Sequence, residues 1–216
     1  MDLPGALEHT LLKPDTTKAD IKKLCEEAVQ YGFRAVCVPP YHIAEAVKQL
    51  KSTQVKVATV IGFPMGYSAT PAKVEEIKRG IDEGADEFDV VINITALKSG
   101  NWNFVRNDLE TMTRAVHLRG KVIKVILEAS LLTSEELKKM CEFCAEFGVD
   151  FVKTSTGVNG KAELETVRTM RQLLPKSIRI KAAGGIRSLQ EAQQMLEAGA
   201  DTMGSSASVA IVSQIG

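Results

Sequence analysis

One phrase recurs four times along the chain, each time where an amphipathic run gives way to an apolar one. It reads Tyr31-Gly32-Phe33-Arg34-Ala35-Val36, Glu83-Gly84-Ala85-Asp86-Glu87-Phe88, Phe147-Gly148-Val149-Asp150-Phe151-Val152 and Ala198-Gly199-Ala200-Asp201-Thr202-Met203. A glycine after the last helical residue suits the left-handed turn that ends a helix. The short apolar run that follows reads as a strand, so the chain repeats a helix–turn–strand unit.

Extending that reading gives candidate strands at 7–12, 35–38, 55–61, 87–92, 121–127, 149–153, 178–181 and 202–203. Helical patterns occupy 18–31, 41–51, 71–83, 102–118, 134–147, 161–173 and 188–198, with a short segment near 206–213. Several have start signals: Ser134 precedes Glu135 and Glu136, Pro71 follows Thr70, and Ser188 stands three residues before Glu191 in capping-box spacing. The strands are apolar on both faces, as parallel strands covered by helices must be. About eight βα units without a linker predict an α/β chain that folds as a single (β/α)8 TIM barrel over residues 1–216. The alternative is an open doubly wound sheet, but no G-x-G-x-x-G follows the first strand, and the strand count favours closure.

Lys plus Arg and Asp plus Glu each number 27 in 216 residues, so no overall field draws nucleic acid or an acidic membrane. Only a local basic site is left to bind an anion. No apolar run approaches the roughly 20 residues that span a bilayer. Met1-Asp2-Leu3-Pro4-Gly5 lacks the basic start and apolar stretch of a signal peptide, which leads to the expectation of a cytoplasmic protein. Cys141 and Cys144 form a C-x-x-C, but they share one helical face with Leu137 and Met140 and read as buried helix cysteines. The three histidines, His9, His42 and His117, form no metal-ligand motif.

The chemistry is expected at the C-terminal ends of the strands, where barrels of this kind carry it. Two runs, Phe151-Val152-Lys153-Thr154-Ser155-Thr156-Gly157 and Ile178-Arg179-Ile180-Lys181-Ala182-Ala183-Gly184-Gly185-Ile186-Arg187, read as buried strands ending on a lysine before a loop of small residues. A buried ammonium is costly to desolvate. Two of them side by side suit a site in which one amine must be neutral to attack a carbonyl. Asp89 on the fourth strand and Lys124 on the fifth converge on the same end, Lys124 reading equally as half of a buried ion pair with Asp89 or Glu128. Glu8 and His9 read as hydrogen-bonded residues of the rim, and Cys37 as a small core residue. The loops add a second signal. Gly184 and Gly185 follow the seventh strand, and Gly204, Ser205 and Ser206 follow the eighth. Barrels often hold phosphate there with loop N–H groups and a helix N-terminus. Thr154, Thr156 and Gly157 support the same anion or orient substrate hydroxyls.

These residues lie in segments that resemble the deoxyribose-phosphate aldolases, class I aldolases of the barrel fold. The matching segments are Glu8-His9-Thr10-Leu11-Leu12-Lys13-Pro14, Val60-Ile61-Gly62-Phe63-Pro64-Met65-Gly66, Glu87-Phe88-Asp89-Val90-Val91-Ile92-Asn93, Lys124-Val125-Ile126-Leu127-Glu128, and the two lysine runs. The resemblance implies that Lys153 is the Schiff-base lysine, Lys181 the second lysine that perturbs it, and Asp89 the acid/base carboxylate, with Lys124 assisting. It implies reversible cleavage of 2-deoxy-D-ribose 5-phosphate to acetaldehyde and D-glyceraldehyde 3-phosphate, with no cofactor or metal, because the iminium is the electron sink. It also suggests a homodimer or homotetramer acting on small phosphosugars and aldehydes. The chain departs from the family pattern at Glu8, where Asp is usual, at Val158-Asn159-Gly160, and at Ala207, which interrupts a run of hydroxyl residues. The rival readings are a Schiff-base barrel aldolase for another phosphosugar and a barrel that binds phosphosugar without catalysis.

Overall fold

The structure is a computed structural model and describes residues 2–215. Eight parallel strands, β1 (Leu7–Thr10), β2 (Ala35–Val38), β3 (Lys56–Ile61), β4 (Glu87–Val91), β5 (Val122–Ile126), β6 (Phe151–Lys153), β7 (Arg179–Ala183) and β8 (Thr202–Ser205), close in sequence order into a barrel. The seam is the β1–β8 pairing, with Glu8 opposite Gly204. The expected (β/α)8 barrel is therefore the observed fold.

Outside the strands lie α1 (Lys18–Tyr31), α2 (Ile43–Leu50), α3 (Thr70–Asp82), α4 (Ile94–Lys98), α5 (Trp102–His117), α6 (Ser134–Phe147), α7 (Leu164–Leu173), α8 (Leu189–Glu197) and α9 (Ser208–Val212). Capping boxes start α1 at Thr17 with Asp20, α6 at Thr133 with Glu136, and α8 at Ser188 with Glu191. The α6 cap is thus Thr133, one residue before the expected Ser134. The recurrent glycines behave as read: Gly32 and Gly148 are left-handed C-caps with φ of 69° and 63°.

Several boundaries differ from the sequence reading: β1 stops at Thr10, β6 begins at Phe151, and β8 runs on to Ser205, so Gly204 and Ser205 lie inside that strand and not after it. The segment 41–51 opens as a 3-10 turn, Pro40–His42, before α2 begins. Residues 161–163 stay outside α7, which begins at Leu164. A short α4, capped by the Asn93 side chain, stands between β4 and α5 and was not foreseen. Finally, β7 runs two residues beyond Lys181, so that lysine lies inside its strand and not at the end.

Strand residues alternate between two environments, as a period of two requires. One set, including Val36, Val38, Ile61, Phe88, Val90, Ile123, Val125, Val152, Ile180 and Ala182, joins helix residues such as Ile21, Ile77, Leu109, Met112, Cys141, Cys144 and Val167 in the main core. The alternate set faces the barrel interior. On β2 and β3 it forms a small separate apolar cluster of Cys37, Ala58 and Val60. On β1 and β4–β7 it is charged: Glu8, Glu87, Asp89, Lys124, Lys153 and Lys181, each no more than 3% exposed. The barrel interior is therefore half apolar plug and half ionic cluster. Among the described residues, no helix is long and apolar enough to cross a membrane.

Candidate active site

The strand register stacks the ionic cluster. Asp89 pairs with Lys124 across β4–β5, and Lys153 with Lys181 across β6–β7. Asp89 is the hub. Its Oδ1 accepts from Lys124 Nζ at 3.0 Å, and its Oδ2 accepts from Lys153 Nζ at 2.7 Å and from Lys181 Nζ at 2.8 Å. Below it, toward the N-terminal end of the barrel, Lys124 reaches Glu8 at 3.1 Å and Glu87 at 2.7 Å. Lys181 also donates to Glu8. Arg34 closes the base, bonding Glu8 at 3.0 Å and Glu87 at 2.8 Å, with its guanidinium 5.4 Å from the Phe151 ring centre.

Of the two partners expected for Lys124, Asp89 is the one observed, joined by Glu8 and Glu87; Glu128 is not among them. Glu8 is not a rim residue but a fully buried partner of two lysines and Arg34. Its neighbour His9 points the other way, as alternation demands, and meets Glu27 of α1 at 2.8 Å. Arg34 escaped the sequence reading because its partners lie 26 and 53 residues away. Its place immediately before the second strand was the available signal.

The cluster sets its own charges. Burial pushes the Asp89 carboxyl up, but the Lys124, Lys153 and Lys181 ammonium groups outweigh it and hold the group well below the usual carboxylate range. Burial likewise pushes Glu87 up, and Lys124 and Arg34 bring it down to about 2. For Lys124 and Lys181, burial works against the charge, while Asp89 and Glu8 more than restore it, so both are held as cations. Each charge in the cluster touches at least one of opposite sign, which offsets part of the cost of burying it.

A cavity of about 390 Å³ opens at the C-terminal ends of the strands. Lys153 lines it; Lys181, Lys124 and Asp89 lie beneath its floor. Thr156, Gly157, Gly184 and Gly185 form one wall, and Gly204, Ser205 and Ser206 form another. Two exposed cations, Lys13 and Arg187, reach the same cavity, although the sequence reading gave them no role. Their signal was position alone, each lying a few residues beyond a strand end.

Glycine is required where the loops meet. Gly184 has φ 102°, and a Cβ there would lie 2.8 Å from both Gly160 O and Ser155 Oγ. A Cβ on Gly204 would lie 3.1 Å from Lys181 Cε, so the bare backbone gives that side chain its passage.

The hydroxyls are mostly engaged within the loops. Thr154 is not brought to the cavity: its Oγ1 donates to Ala183 O at 3.2 Å and accepts from Ala183 N at 3.1 Å. Ser155 donates to the same carbonyl at 2.5 Å. Ser205 Oγ donates to Ile186 O at 2.7 Å and accepts from Ala207 N at 2.9 Å, and its carbonyl accepts from Ser208 Oγ at 3.0 Å, so its side chain is held within the loop. Ser206 is exposed at the mouth.

The arrangement suits carbonyl chemistry: an amine at the floor of a pocket, a buried carboxylate bonded to it, and fixed cations behind. The comparisons with known proteins agree. Residues 6–214 match the family model described as DeoC/LacD family aldolase. A deoxyribose-phosphate aldolase of Thermococcus gammatolerans is 50% identical, over 98% of this chain and 96% of its own length. One from Caldanaerobacter subterraneus is 46% identical, over 99% of this chain and 94% of its own length. The structure of deoxyribose phosphate aldolase from Aeropyrum pernix, described as a unique tetramer, superposes with a TM-score of 0.92 at 33% identity, covering 99% of this chain and 90% of that one. The chain belongs to the DeoC/LacD family of aldolases.

Proposed function

We propose that the chain is a class I aldolase that reversibly cleaves 2-deoxy-D-ribose 5-phosphate to acetaldehyde and D-glyceraldehyde 3-phosphate through a Schiff base on Lys153. The observation that carries this reading is the position of Lys153. It is the lysine of the buried cluster that lines the cavity, while Lys124 and Lys181 sit beneath and are held as cations by their carboxylates. Lys124 is tied to three carboxylates and Lys181 to two, whereas Lys153 has Asp89 alone and opens on the cavity, so it is the one that can release its proton and attack.

The cluster counts support the same role. With every group charged, four cations (Arg34, Lys124, Lys153, Lys181) face three carboxylates (Glu8, Glu87, Asp89). When Lys153 gives up one proton the cluster balances. That proton must leave through water in the cavity, because a transfer to Asp89 would only move charge within the cluster. Asp89 Oδ2, 2.7 Å away and also bonded by Lys181, stays a carboxylate and orients the neutral amine by accepting its N–H.

The neutral amine attacks the aldehyde carbon C1 of the open-chain sugar. Loss of water gives a protonated imine. The C2–C3 bond then breaks, its electron pair flowing to the iminium, while the C3 hydroxyl loses its proton and becomes the new aldehyde. The enamine left on Lys153 takes a proton at C2, and hydrolysis releases acetaldehyde. Asp89 lies below the cavity floor, so it exchanges protons with the substrate through Lys153 and water. Lys13, Arg187 and the N–H groups of the Gly184–Gly185 and Gly204–Ser206 segments offer the phosphate its counter-charge and donors. As in the Aeropyrum relative, the chain is proposed to form a homo-oligomer, dimer or tetramer, which sedimentation would measure.

The test is twofold. Purified protein given deoxyribose 5-phosphate should release glyceraldehyde 3-phosphate in a coupled assay; no turnover sinks the substrate. Borohydride with acetaldehyde should leave a stable adduct that peptide mapping places on Lys153; an adduct on Lys181 reverses the lysine roles.

A further inference from the structure

Glu128 is a buried carboxylate that the carbon–carbon chemistry leaves unused. It is fully buried just beyond β5, and among the described residues no cation pairs with it. Its bonds all go to one residue. Both carboxylate oxygens accept from Thr156 N at 3.3 Å, and Oε2 accepts from Thr156 Oγ1 at 2.5 Å.

Its backbone is as unusual as its surroundings. With φ 52° and ψ 54°, it is the one non-glycine residue with positive φ among those described. Such a conformation costs free energy and persists where its neighbours over-determine it. Those neighbours are the segment that carries Lys153: Leu127 N donates to Lys153 O at 3.0 Å, and Ala129 N to Thr154 O at 2.8 Å. Gly160 closes over the carboxylate, since a Cβ there would lie 3.5 Å from Glu128 Oε1.

The consequence falls on Thr156, which lines the cavity beside Lys153. A threonine hydroxyl has one proton and two lone pairs. The proton goes to Glu128, and one lone pair accepts from Val158 N at 3.1 Å. What remains is a single acceptor. We infer that Glu128 is a positioning residue that fixes Thr156 as a hydrogen-bond acceptor toward the cavity, so that the site selects a substrate offering a hydroxyl donor close to Lys153. This inference rests on the aldolase reading of Lys153. A phosphate group, rich in acceptors, gains nothing from the Thr156 hydroxyl and is left to Lys13, Arg187 and the glycine loops.

The experiment is a condensation of acetaldehyde with two phosphorylated acceptors, D-glyceraldehyde 3-phosphate and 3-phosphooxypropanal, which lacks the 2-hydroxyl. The natural enzyme should favour the hydroxylated aldehyde in kcat/KM by about tenfold or more, the worth of one well-placed hydrogen bond. In Glu128→Gln the amide donates to Thr156 Oγ1 and the threonine proton turns to the cavity, so the ratio should fall toward one. Borohydride trapping of acetaldehyde on the variant, which needs no acceptor hydroxyl, reports that Lys153 is still in place. Thr156→Val should give the same fall and decides the matter where Glu128→Gln does not fold. Equal losses on both acceptors, or a natural enzyme without the preference, overturn the assignment while leaving the aldolase reading intact. A natural enzyme that cannot be trapped at all overturns both.

Discussion

Lys153 and Lys181 face each other in register on β6 and β7 and share a single carboxylate oxygen, Asp89 Oδ2, at 2.7 and 2.8 Å. Their surroundings differ in one respect that decides their roles. Lys153 opens on the cavity, whereas Lys181 is enclosed and also bonds Glu8.

Replacing either lysine should therefore have a different signature. Lys153→Arg keeps the charge but removes the amine, so turnover should fall by about 10⁴-fold or more and borohydride trapping should vanish, with the folded state retained. Lys181→Met leaves Asp89 and Glu8 short of a buried cation, which should cost about 3–5 kcal/mol in denaturant unfolding as well as activity. Equal stability losses for the two variants would contradict the enclosed role of Lys181.

The phosphate cations should act on binding. Both Lys13 and Arg187 are exposed at the cavity mouth. Lys13→Met and Arg187→Gln should each raise KM for deoxyribose 5-phosphate by about tenfold, with a smaller effect on the unphosphorylated sugar, since charge-assisted bonds to phosphate are the interactions removed. Parallel kinetics on the two sugars check this.

Gly204→Ala probes the passage of Lys181. The added methyl would sit 3.1 Å from Lys181 Cε and 3.4 Å from Ala183 Cβ in a closed interior. Overpacking of this kind costs about 1–3 kcal/mol. Because the side chain that must yield is Lys181, kcat should fall along with the thermal midpoint.

Acid should unfold the barrel through its carboxylates. Glu87 is lowered from 4.5 to about 2, and Asp89 is held well below its usual value. A carboxyl lowered in the fold stabilises it above the unfolded-state value, and that stability is lost as pH falls through the folded-state value. Glu87 alone should contribute about 3 kcal/mol at neutral pH, lost progressively as pH falls below 4.5 toward 2. Thermal midpoints should be flat from neutrality to about pH 5 and then fall. Glu87→Gln should show a shallower fall in that window.

The thiols should be inert in the folded state. Burial pushes Cys25 and Cys141 up to about 12 and Cys37 to about 11. A disulfide-exchange reagent at pH 8 should label none of the four cysteines promptly and all of them after denaturation. Rapid labelling of Cys141 or Cys144 would contradict the packed α6 face.

The fold was legible because its signals are local. The glycine after each helix, the capping pair Ser188–Glu191, and the doubly apolar strands each lie within a few residues of what they determine, and the start signal at Ser134 fell one residue from the true cap, Thr133. Boundaries were missed where the element is too short for a periodic signal, as with the five residues of α4, or where pairing with a neighbour extends it, as with β7 beyond Lys181.

The site divides along the same line. The lysines, Asp89 and the glycine loops stood out by themselves, because charge and glycine are conspicuous at strand ends. Their partners did not. Lys181 meets Glu8 across 173 residues, Lys124 meets Glu8 across 116, and Glu128 turns from Lys124 to Thr156. Sequence alone thus determined a barrel of parallel strands with lysines at one mouth, since periodicity and caps are properties of neighbours along the chain. Only the closed barrel decided which lysine opens on the cavity and which stay paired beneath it, because solvent access and ion pairing depend on which strands lie side by side and which face of each points inward.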